Sequence, residues 1–339
     1  MNRSSPPLDP ILRRGLSALD DDDVEVAQQA LDEATKLAGE NHPRVLHLAG
    51  MLAWAEGRVD NAAGYLMQAV DQGAEEPEIH LDCAECLFVH GDDLDQPEAI
   101  MRSLLERRDL AQDAQDEARL LLAQIRLDDD DPDEALELLD QISAETRGHV
   151  AFLSTFGAVL MALGREGDAV AALERAAEAA PDDADIHYQL GLTRGAAGDH
   201  AGAAAAMLQV LELDAAEVET EPVSAEEAEE LRGALEEVLE ELPDPILRML
   251  ANAPISVQNR PSAAQVREGV NPRGVVAFLG RAKTDDAEAE LRGIAIMRDL
   301  LIDTIEDDEE VPEALIVGLL DEVRRFFREE SLGMASVED

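Results

Sequence analysis

Residues 150–181 read VAFLSTFGAVLMALGREGDAVAALERAAEAAP, and the pattern of this stretch recurs along the chain. Here Gly157 is followed twelve residues later by Ala169, and 34 residues further on Gly191 is followed by Ala203. Similar pairs occur nearer the start, at Gly50 with Ala62 and at Gly15 with Ala27. A fixed period of this length indicates helical repeats that bury their apolar faces only by stacking on one another.

The positions of small and apolar residues within each period resemble those of tetratricopeptide-repeat (TPR) proteins. The stretch places apolar, small, turn and stop residues where that family has them: Leu153, Phe156, Gly157, Leu160, Gly164, Ala169, Leu173, Ala176 and Pro181. The resemblance implies a mainly α fold, a right-handed helical solenoid. About six repeats over residues 8–217 predict about twelve antiparallel helices.

The chain is strongly acidic, with 76 Asp and Glu against 27 Lys and Arg, and a formal charge of −49. Such a field repels nucleic acids and anionic membranes, so we expect neither as a partner. The acids are spread along the chain, which favours salt adaptation of the surface over a dedicated acidic tail, and recruitment of basic partners is the alternative. The sequence begins without an apolar leader and has no run of 18 apolar residues, which predicts a cytoplasmic protein.

Three short motifs that suggest metal or redox chemistry have structural interpretations. Cys83 and Cys86 form a lone CxxC, which lacks the second pair of a zinc ribbon, so we expect buried thiols. Neither of the acidic runs at 20–23 and 128–131 supplies both the glycine and the closing glutamate of a calcium loop. We expect these runs to be capped turns, and we predict no metal and no cofactor.

The pattern changes after the repeats. Residues 218–224 are predicted to be an acidic linker, and Ser224 with Glu227 predicts a capping box that opens a helix to about Glu241. Short strands are predicted at 254–259, 274–280 and 293–297, followed by a helix that contains Leu315 and Phe327. Residues 225–332 therefore form a small α+β domain, and 333–339 a tail.

The order of elements in 225–332 resembles the minimal-zincin metallopeptidase family, on the stretches ALEEVLEELPDPILRMLANAPISVQNRPS, GIAIMRDLL and LLDEVRRFF. The resemblance implies a zinc helix carrying H-E-x-x-H. Asp321 and Arg325 stand at the two histidine positions and Glu322 at that of the general base, while Arg328 replaces a glycine. Arginine cannot bind zinc, and all seven histidines lie between His42 and His200. We therefore expect an inactive domain with an Asp321–Arg325 ion pair; a metal site built from Asp321, Glu322 and acids at 306–310 is the alternative.

The resemblance to TPR proteins also implies a concave groove lined by the first helix of each repeat. Carried over by position, the groove residues are His47, Met51, Trp54, Leu81, Phe88, Ser154, Met161, Tyr188 and Leu192. Trp54 is the only tryptophan, and large rings on an open face are typical binding anchors, although packing between repeats is the alternative. Because these positions lack Lys and Arg, we expect an apolar or basic protein segment as ligand.

These observations favour a non-enzymatic adaptor in which the repeats bind a protein segment and the zincin-like domain is a degenerate second module. An active or atypical-metal metallopeptidase is the first alternative, supported by Glu322 alone. The second is an assembly factor whose C-terminal domain only caps the solenoid.

Overall fold

The computed structural model describes residues 8–91, 93–216, 221–242, 244–250, 252–283, 287–305, 307 and 310–327. The chain divides into two compact units, Met1–Ala179 (unit 1) and Ala180–Asp339 (unit 2). The last helical hairpin therefore belongs to the same compact unit as the C-terminal region. The predicted boundary between the repeat array and the C-terminal domain, at the linker 218–224, stays a prediction. The predicted tail at 333–339 lies outside the described residues.

Unit 1 consists of helices that pair as successive antiparallel hairpins. In its described residues they are α1 (Leu8–Asp20), α2 (Val24–Ala38), α3 (Pro43–Ala55), α4 (Val59–Asp71), α5 (Pro77–His90), α6 (Asp95–Leu105), α7 (Gln112–Asp128), α8 (Pro132–Leu139), α9 (Val150–Ala162) and α10 (Glu166–Ala179), with a 3₁₀ turn at Thr146–Gly148. In unit 2 the hairpin of α11 (Ala184–Ala196) and α12 (His200–Ala216) continues the pattern. Twelve helices over 8–216 confirm a mainly helical, TPR-like solenoid.

The recurring glycines allow the two helices of a hairpin to approach closely. A Cβ atom added at Gly50 would lie 2.6 Å from Cγ of Leu66, and one at Gly157 would lie 2.7 Å from Cγ of Leu173. Real Cβ atoms do not approach other atoms this closely, so a side chain at either position would force the helices apart. In both hairpins the nearest side chain is that of the large residue sixteen positions on.

The turn between the helices of a hairpin uses one left-handed residue. Asp22 and Asp130 occupy it with φ of 57°, and glycines occupy it in other hairpins: Gly57, Gly164 and Gly198. The following residues, Asp23 and Asp131, cap the next helix by accepting hydrogen bonds from the backbone N–H groups of Val26 and Glu134. The acidic runs are therefore helix-capping turns, as predicted.

The rest of unit 2 combines helices with a small sheet. Its described elements are α13 (Ala225–Glu241), α14 (Asp244–Leu250), β1 (Ile255–Gln258), α15 (Ala263–Arg267), β2 (Val276–Arg281), β3 (Glu290–Met297), α16 (Arg298–Ile302) and α17 (Val311–Phe327). Within these residues the strand order is β1-β3-β2, with β1 parallel and β2 antiparallel to β3. The predicted capping box of Ser224 and Glu227 opens α13. The predicted strands and helices are confirmed.

Helix α17 and helix α13 cover the sheet and form the core of this region. The core contains Phe278 of β2 and Ile294 and Ile296 of β3, packed against Leu319 and Phe326 of α17. The rings of Phe278 and Phe326 meet edge to face at a centroid distance of 5.6 Å. Strand β2 is an edge strand of the described sheet, and α17 supplies an acceptor for one of its free backbone groups, the N–H of Phe278.

Candidate protein-interaction surfaces

The first helices of the repeats in unit 1 form one continuous surface, which we call the first-helix face. Helices α1, α3, α5, α7 and α9 pack directly on one another in sequence, whereas successive second helices in the described residues make at most isolated contacts. In a curved stack the more closely packed layer lies on the inner side. The first-helix face is therefore the more closely packed layer of unit 1, where the predicted groove would lie.

Polar contacts between neighbouring first helices fix this face. His47 of α3 is only 5% exposed, and its Nε2 lies 2.6 Å from a carboxylate oxygen of Asp82 on α5. Further along, Gln124 of α7 donates a hydrogen bond to Thr155 of α9. The His47 ring is thus buried in a contact between repeats, and its predicted role as a groove residue stays a prediction.

The large predicted groove residues at the N-terminal end lie partly in the core. Trp54 and Met51 of α3 pack against a buried cluster that contains Cys83 and Cys86, and the Trp54 ring meets His90 of α5 edge-on at 5.8 Å. Packing between repeats thus buries much of the surface of the Trp54 and Met51 side chains. The remaining predicted groove residues of unit 1 are partly buried on their first helices: Leu81, Phe88, Ser154 and Met161.

The two predicted groove residues of unit 2 differ in their surroundings. Leu192 of α11 is 51% exposed. The hydroxyl of Tyr188 accepts a hydrogen bond from the amide of Asn271, and the guanidinium of Arg273 lies 5.2 Å from its ring centroid. The binding role of all these residues stays a prediction.

The first-helix face carries an acidic stripe that the sequence analysis did not single out. Glu78, Asp82, Glu85 and Val89 follow one another on α5 at intervals of three or four residues, which places them on one side of the helix. Val89 is 57% exposed, one of the most exposed large apolar side chains of the chain. The spacing was readable from the sequence, but only the packing of α5 shows that this side lies on the first-helix face.

The carboxylates of this stripe repel one another. Burial by surrounding protein, followed by repulsion from Asp113, Glu78, Asp82 and Asp116, raises the pKa of Glu117 on α7. Burial and Asp82 likewise raise the pKa of Glu85, although much of that side chain remains accessible to solvent. A cation placed among these groups would relieve the repulsion.

The two cysteines are buried thiols with free sulfur atoms, as predicted. Burial, together with the neighbouring Cys86, Asp71 and Asp82, raises the pKa of Cys83 to about 12. A thiol with so high a pKa is a poor nucleophile and a poor metal ligand at neutral pH.

Two of the positions that the sequence predicts to correspond to a degenerate zinc motif, Glu322 and Arg325, form an ion pair. The Glu322 side chain is buried, and its carboxylate accepts hydrogen bonds from the N–H of Phe278 on β2, at 2.9 Å, and from both Nε and Nη2 of Arg325. Arg325 also donates to the carbonyl of Gly269. Thus Glu322 satisfies one N–H group on the free edge of β2, and Arg325 attaches α17 to the loop at Gly269.

The expected Asp321–Arg325 ion pair is wrong. Asp321 pairs with Arg324 at 3.0 Å on the exposed side of α17, while Arg325 turns inward to Glu322. The buried carboxylate competes better for the guanidinium because fewer water molecules solvate it. Arg328 lies outside the described residues, as do several of the acids at 306–310. Among the described residues, no group of three or more His, Cys, Asp or Glu side chains is arranged to hold a metal.

In the part of the chain that the structure describes, no helix is both long and apolar enough to cross a membrane.

Comparisons with known families identify the repeats. Tetratricopeptide-repeat profiles match residues 12–77, 47–111, 126–191 and 163–246, which together span well over half of the chain. The last match continues beyond α12 through α13. No protein of curated function matches the sequence significantly.

Solved structures share the fold at low sequence identity. PilW, described as a widely conserved type IV pilus biogenesis factor, is 15% identical, with a TM-score of 0.54 over 64% of this chain and 100% of its own. Pseudomonas aeruginosa PilF is 14% identical, with a TM-score of 0.51 over 61% of this chain and 91% of its own. The Cut9–Hcn1 hetero-tetramer of the APC/C is 13% identical, with a TM-score of 0.53 over 61% of this chain and 40% of its own. At such identity these similarities establish the architecture and not a shared partner.

Proposed function

This chain belongs to the tetratricopeptide-repeat family, and we propose that it is a non-enzymatic scaffold whose first-helix face binds a basic and apolar segment of a partner protein. Proteins of this family present extended concave surfaces to other proteins. The observation that carries the proposal is the stripe of Glu78, Asp82, Glu85 and Val89 on the first-helix face, where closely spaced carboxylates lie beside an exposed aliphatic side chain, and where burial and Asp82 raise the pKa of Glu85.

The stripe also indicates which ligands are disfavoured. An acidic peptide tail or a nucleic acid would add negative charge to carboxylates that already repel one another. A basic side chain would pair with them, and an adjacent aliphatic side chain would cover Val89. The expected cytoplasmic location stays a prediction.

The degenerate zincin-like domain is proposed as a second, inactive module. A general base must be free to accept a proton from water, whereas the Glu322 carboxylate already accepts three hydrogen bonds from Phe278 and Arg325. This occupancy supports the inactive reading over a metallopeptidase with an unusual metal. Turnover of a peptide substrate that is lost in Glu322→Gln would contradict it.

A capping role for the C-terminal region is a second candidate, because this region is attached to the last hairpin. Arg273 binds both carboxylate oxygens of Asp214 on α12, at 2.8 and 2.9 Å, and also pairs with Asp185 on α11. Helix α15 packs on α12 as well. If capping is the main role, Arg273→Leu will increase hydrogen exchange in both α11 and α12 without affecting partner binding by unit 1.

Affinity capture with a matched pair of variants tests the scaffold proposal. Val89→Arg places a cation on the stripe, whereas Leu37→Arg adds the same charge to a partly exposed site on the second helix α2. We expect Val89→Arg, but not Leu37→Arg, to lose a specific partner from native lysate at about 0.15 M salt, where exposed charges more than about 8 Å apart are already screened. Retention of every captured protein by Val89→Arg would contradict the proposal.

A further inference from the structure

Unit 2 contains a groove of about 540 Å³ that the scaffold proposal does not use. We call it the unit 2 groove. Its floor is aliphatic and consists of Val275, Ile305, Ala314 and Val317. Val317 is 55% exposed, although the side of α17 that carries Leu319 and Phe326 is fully buried. The volume lies within the range of about 300–1,000 Å³ that is typical of ligand sites.

One rim of the groove is acidic. Glu313, Val317 and Asp321 lie at intervals of four residues along α17, so two carboxylates flank the exposed valine on one side of the helix. Glu310, just before this helix, adds a third carboxylate to the lining. Asp321 pairs with Arg324 only on the exposed surface, where such pairs are weak.

The opposite wall already holds a cation of the chain itself. Arg273 lies over the Tyr188 ring, but its charge is more than balanced by Asp214 and Asp185. The groove is therefore negative overall, and its aromatic wall already packs against a guanidinium. An arginine or lysine entering from a partner would meet carboxylates on the α17 rim rather than competing with Arg273.

We propose that the unit 2 groove binds a partner segment in which an arginine or lysine stands beside an aliphatic residue. The aliphatic side chain contacts Val317 and Val275, and the cation pairs with either Glu313 or Asp321, which lie one helical turn to each side of Val317. The occupant is a segment of another protein and not a second copy of this chain, because two molecules of formal charge −49 repel each other. This site is separate from the first-helix face and does not depend on the scaffold proposal.

Fluorescence anisotropy with defined peptides tests the site on the full chain. The probe is a labelled nine-residue peptide that alternates Leu and Arg, and the comparison peptides replace Arg by Glu or Leu by Ser. Val317→Arg alters the unit 2 groove and Val89→Arg alters the first-helix face, so each variant is the control for the other. The two valines are almost equally exposed, at 55% and 57%, and lie in different units. Leu37→Arg controls for the added charge alone.

We expect the Leu/Arg peptide to occupy two sites, of which Val317→Arg weakens one at least tenfold at about 0.15 M NaCl, where only nearby charges contribute. A photoreactive form of the peptide should cross-link to residues 310–321 in the wild type and not in Val317→Arg. The Glu and Ser peptides should bind at least tenfold more weakly.

Equal titrations and equal cross-linking for Val317→Arg and Leu37→Arg would overturn the inference. If Val89→Arg alone removes all binding, the unit 2 groove is refuted and the scaffold proposal stands; if Val317→Arg alone does so, the reverse holds. Self-association in sedimentation equilibrium that Val317→Arg abolishes would also overturn it, in favour of a second copy of the chain.

Discussion

The buried pair of Glu322 and Arg325 gives the most specific prediction for the C-terminal region. In Glu322→Ala the N–H of Phe278 loses its acceptor inside the core, and an unpaired buried donor costs about 1–3 kcal/mol. Removing one partner of a buried ion pair costs about 3–5 kcal/mol in all, but the Arg325 side chain is 38% exposed and recovers some hydration. We therefore expect a loss of about 3 kcal/mol in the local stability of unit 2.

Two further variants separate the contributions. Glu322→Gln keeps an acceptor for Phe278 but not the charge, so about 1–2 kcal/mol should be lost. Arg325→Met leaves a buried carboxylate without its cation, so this variant should lose stability by an amount comparable with Glu322→Ala. Arg324→Met is the matched control, because its pair with Asp321 is about two-thirds exposed on both sides and should change stability by less than about 1 kcal/mol.

Hydrogen exchange measured on peptides that cover β2 is the suitable assay. The only tryptophan lies in unit 1, and a chain of two units need not unfold in one step, so a global unfolding curve would not report unit 2 specifically. We expect the loss of protection at Val276–Arg281 to be largest in Glu322→Ala, smaller in Glu322→Gln and smallest in Arg324→Met. Equal protection in Glu322→Ala and Arg324→Met would refute the assigned role of this pair.

Three further predictions concern unit 1 and the whole chain. Gly50→Ala should destabilise the protein by about 1–3 kcal/mol in calorimetry, because the added Cβ would overlap Leu66. Gly64→Ala, in open space within α4, should instead stabilise the protein by about 0.5–1 kcal/mol. The opposite order of stabilities would contradict the close approach of the two helices at Gly50. Asp116 is 1% exposed, and hydrogen bonds from Ser143, Thr146 and Gln112 outweigh its burial and lower its pKa, so its contribution to stability is present at neutral pH and lost as the pH falls through that lowered value. Asp116→Asn should therefore be less stable at pH 7 and show a flatter acid limb of the unfolding profile; an unchanged limb would contradict this. Finally, the melting temperature of the chain should rise between about 0.05 and 0.5 M NaCl, because salt screens the repulsion among the excess carboxylates. A constant or falling melting temperature would contradict net repulsion among these carboxylates.

The repeats were predictable because the glycine spacing and the hairpin turns are local signals. A left-handed residue is needed at one place in each turn, and Asp130, Gly164 and Gly198 mark it at intervals of 34 residues. The capping box of Ser224 and the period-two apolar runs of the strands are local in the same sense.

The pairing of charged side chains was not predictable, because it depends on burial. Asp321 and Arg325 have the spacing of a helical ion pair, yet the buried Glu322 takes the arginine and leaves Asp321 to Arg324. Similarly, the position of His47 in the repeat suggested an open groove, but the neighbouring helix supplies Asp82 and covers its ring. Sequence spacing shows which side of a helix a residue occupies and not what another repeat places against it.

The acidic stripe was missed for a related reason. Phe88 was predicted as a groove residue because it has a large ring. The adjacent Val89 is instead the exposed residue, and it lies in line with Glu78, Asp82 and Glu85. The interval of three or four residues was visible in the sequence. Only the contacts of α5 with α3 and α7 identify that side as part of the first-helix face.

The affinity of the Leu/Arg peptide for charge variants of the first-helix face tests the central claim most directly. Glu85→Gln with Glu117→Gln removes two carboxylates from this face, and Glu137→Gln with Glu178→Gln removes two exposed ones from the second helices α8 and α10. Both double variants have the same net charge, and fluorescence anisotropy at pH 7 and about 0.15 M NaCl compares their affinities for the peptide. At this salt concentration, long-range attraction between the chain and the peptide is screened. At the site that Val89→Arg also weakens, we predict at least tenfold weaker binding for the first pair and no change for the second, whereas equal affinities at that site would contradict a scaffold that recognises basic segments on its first-helix face.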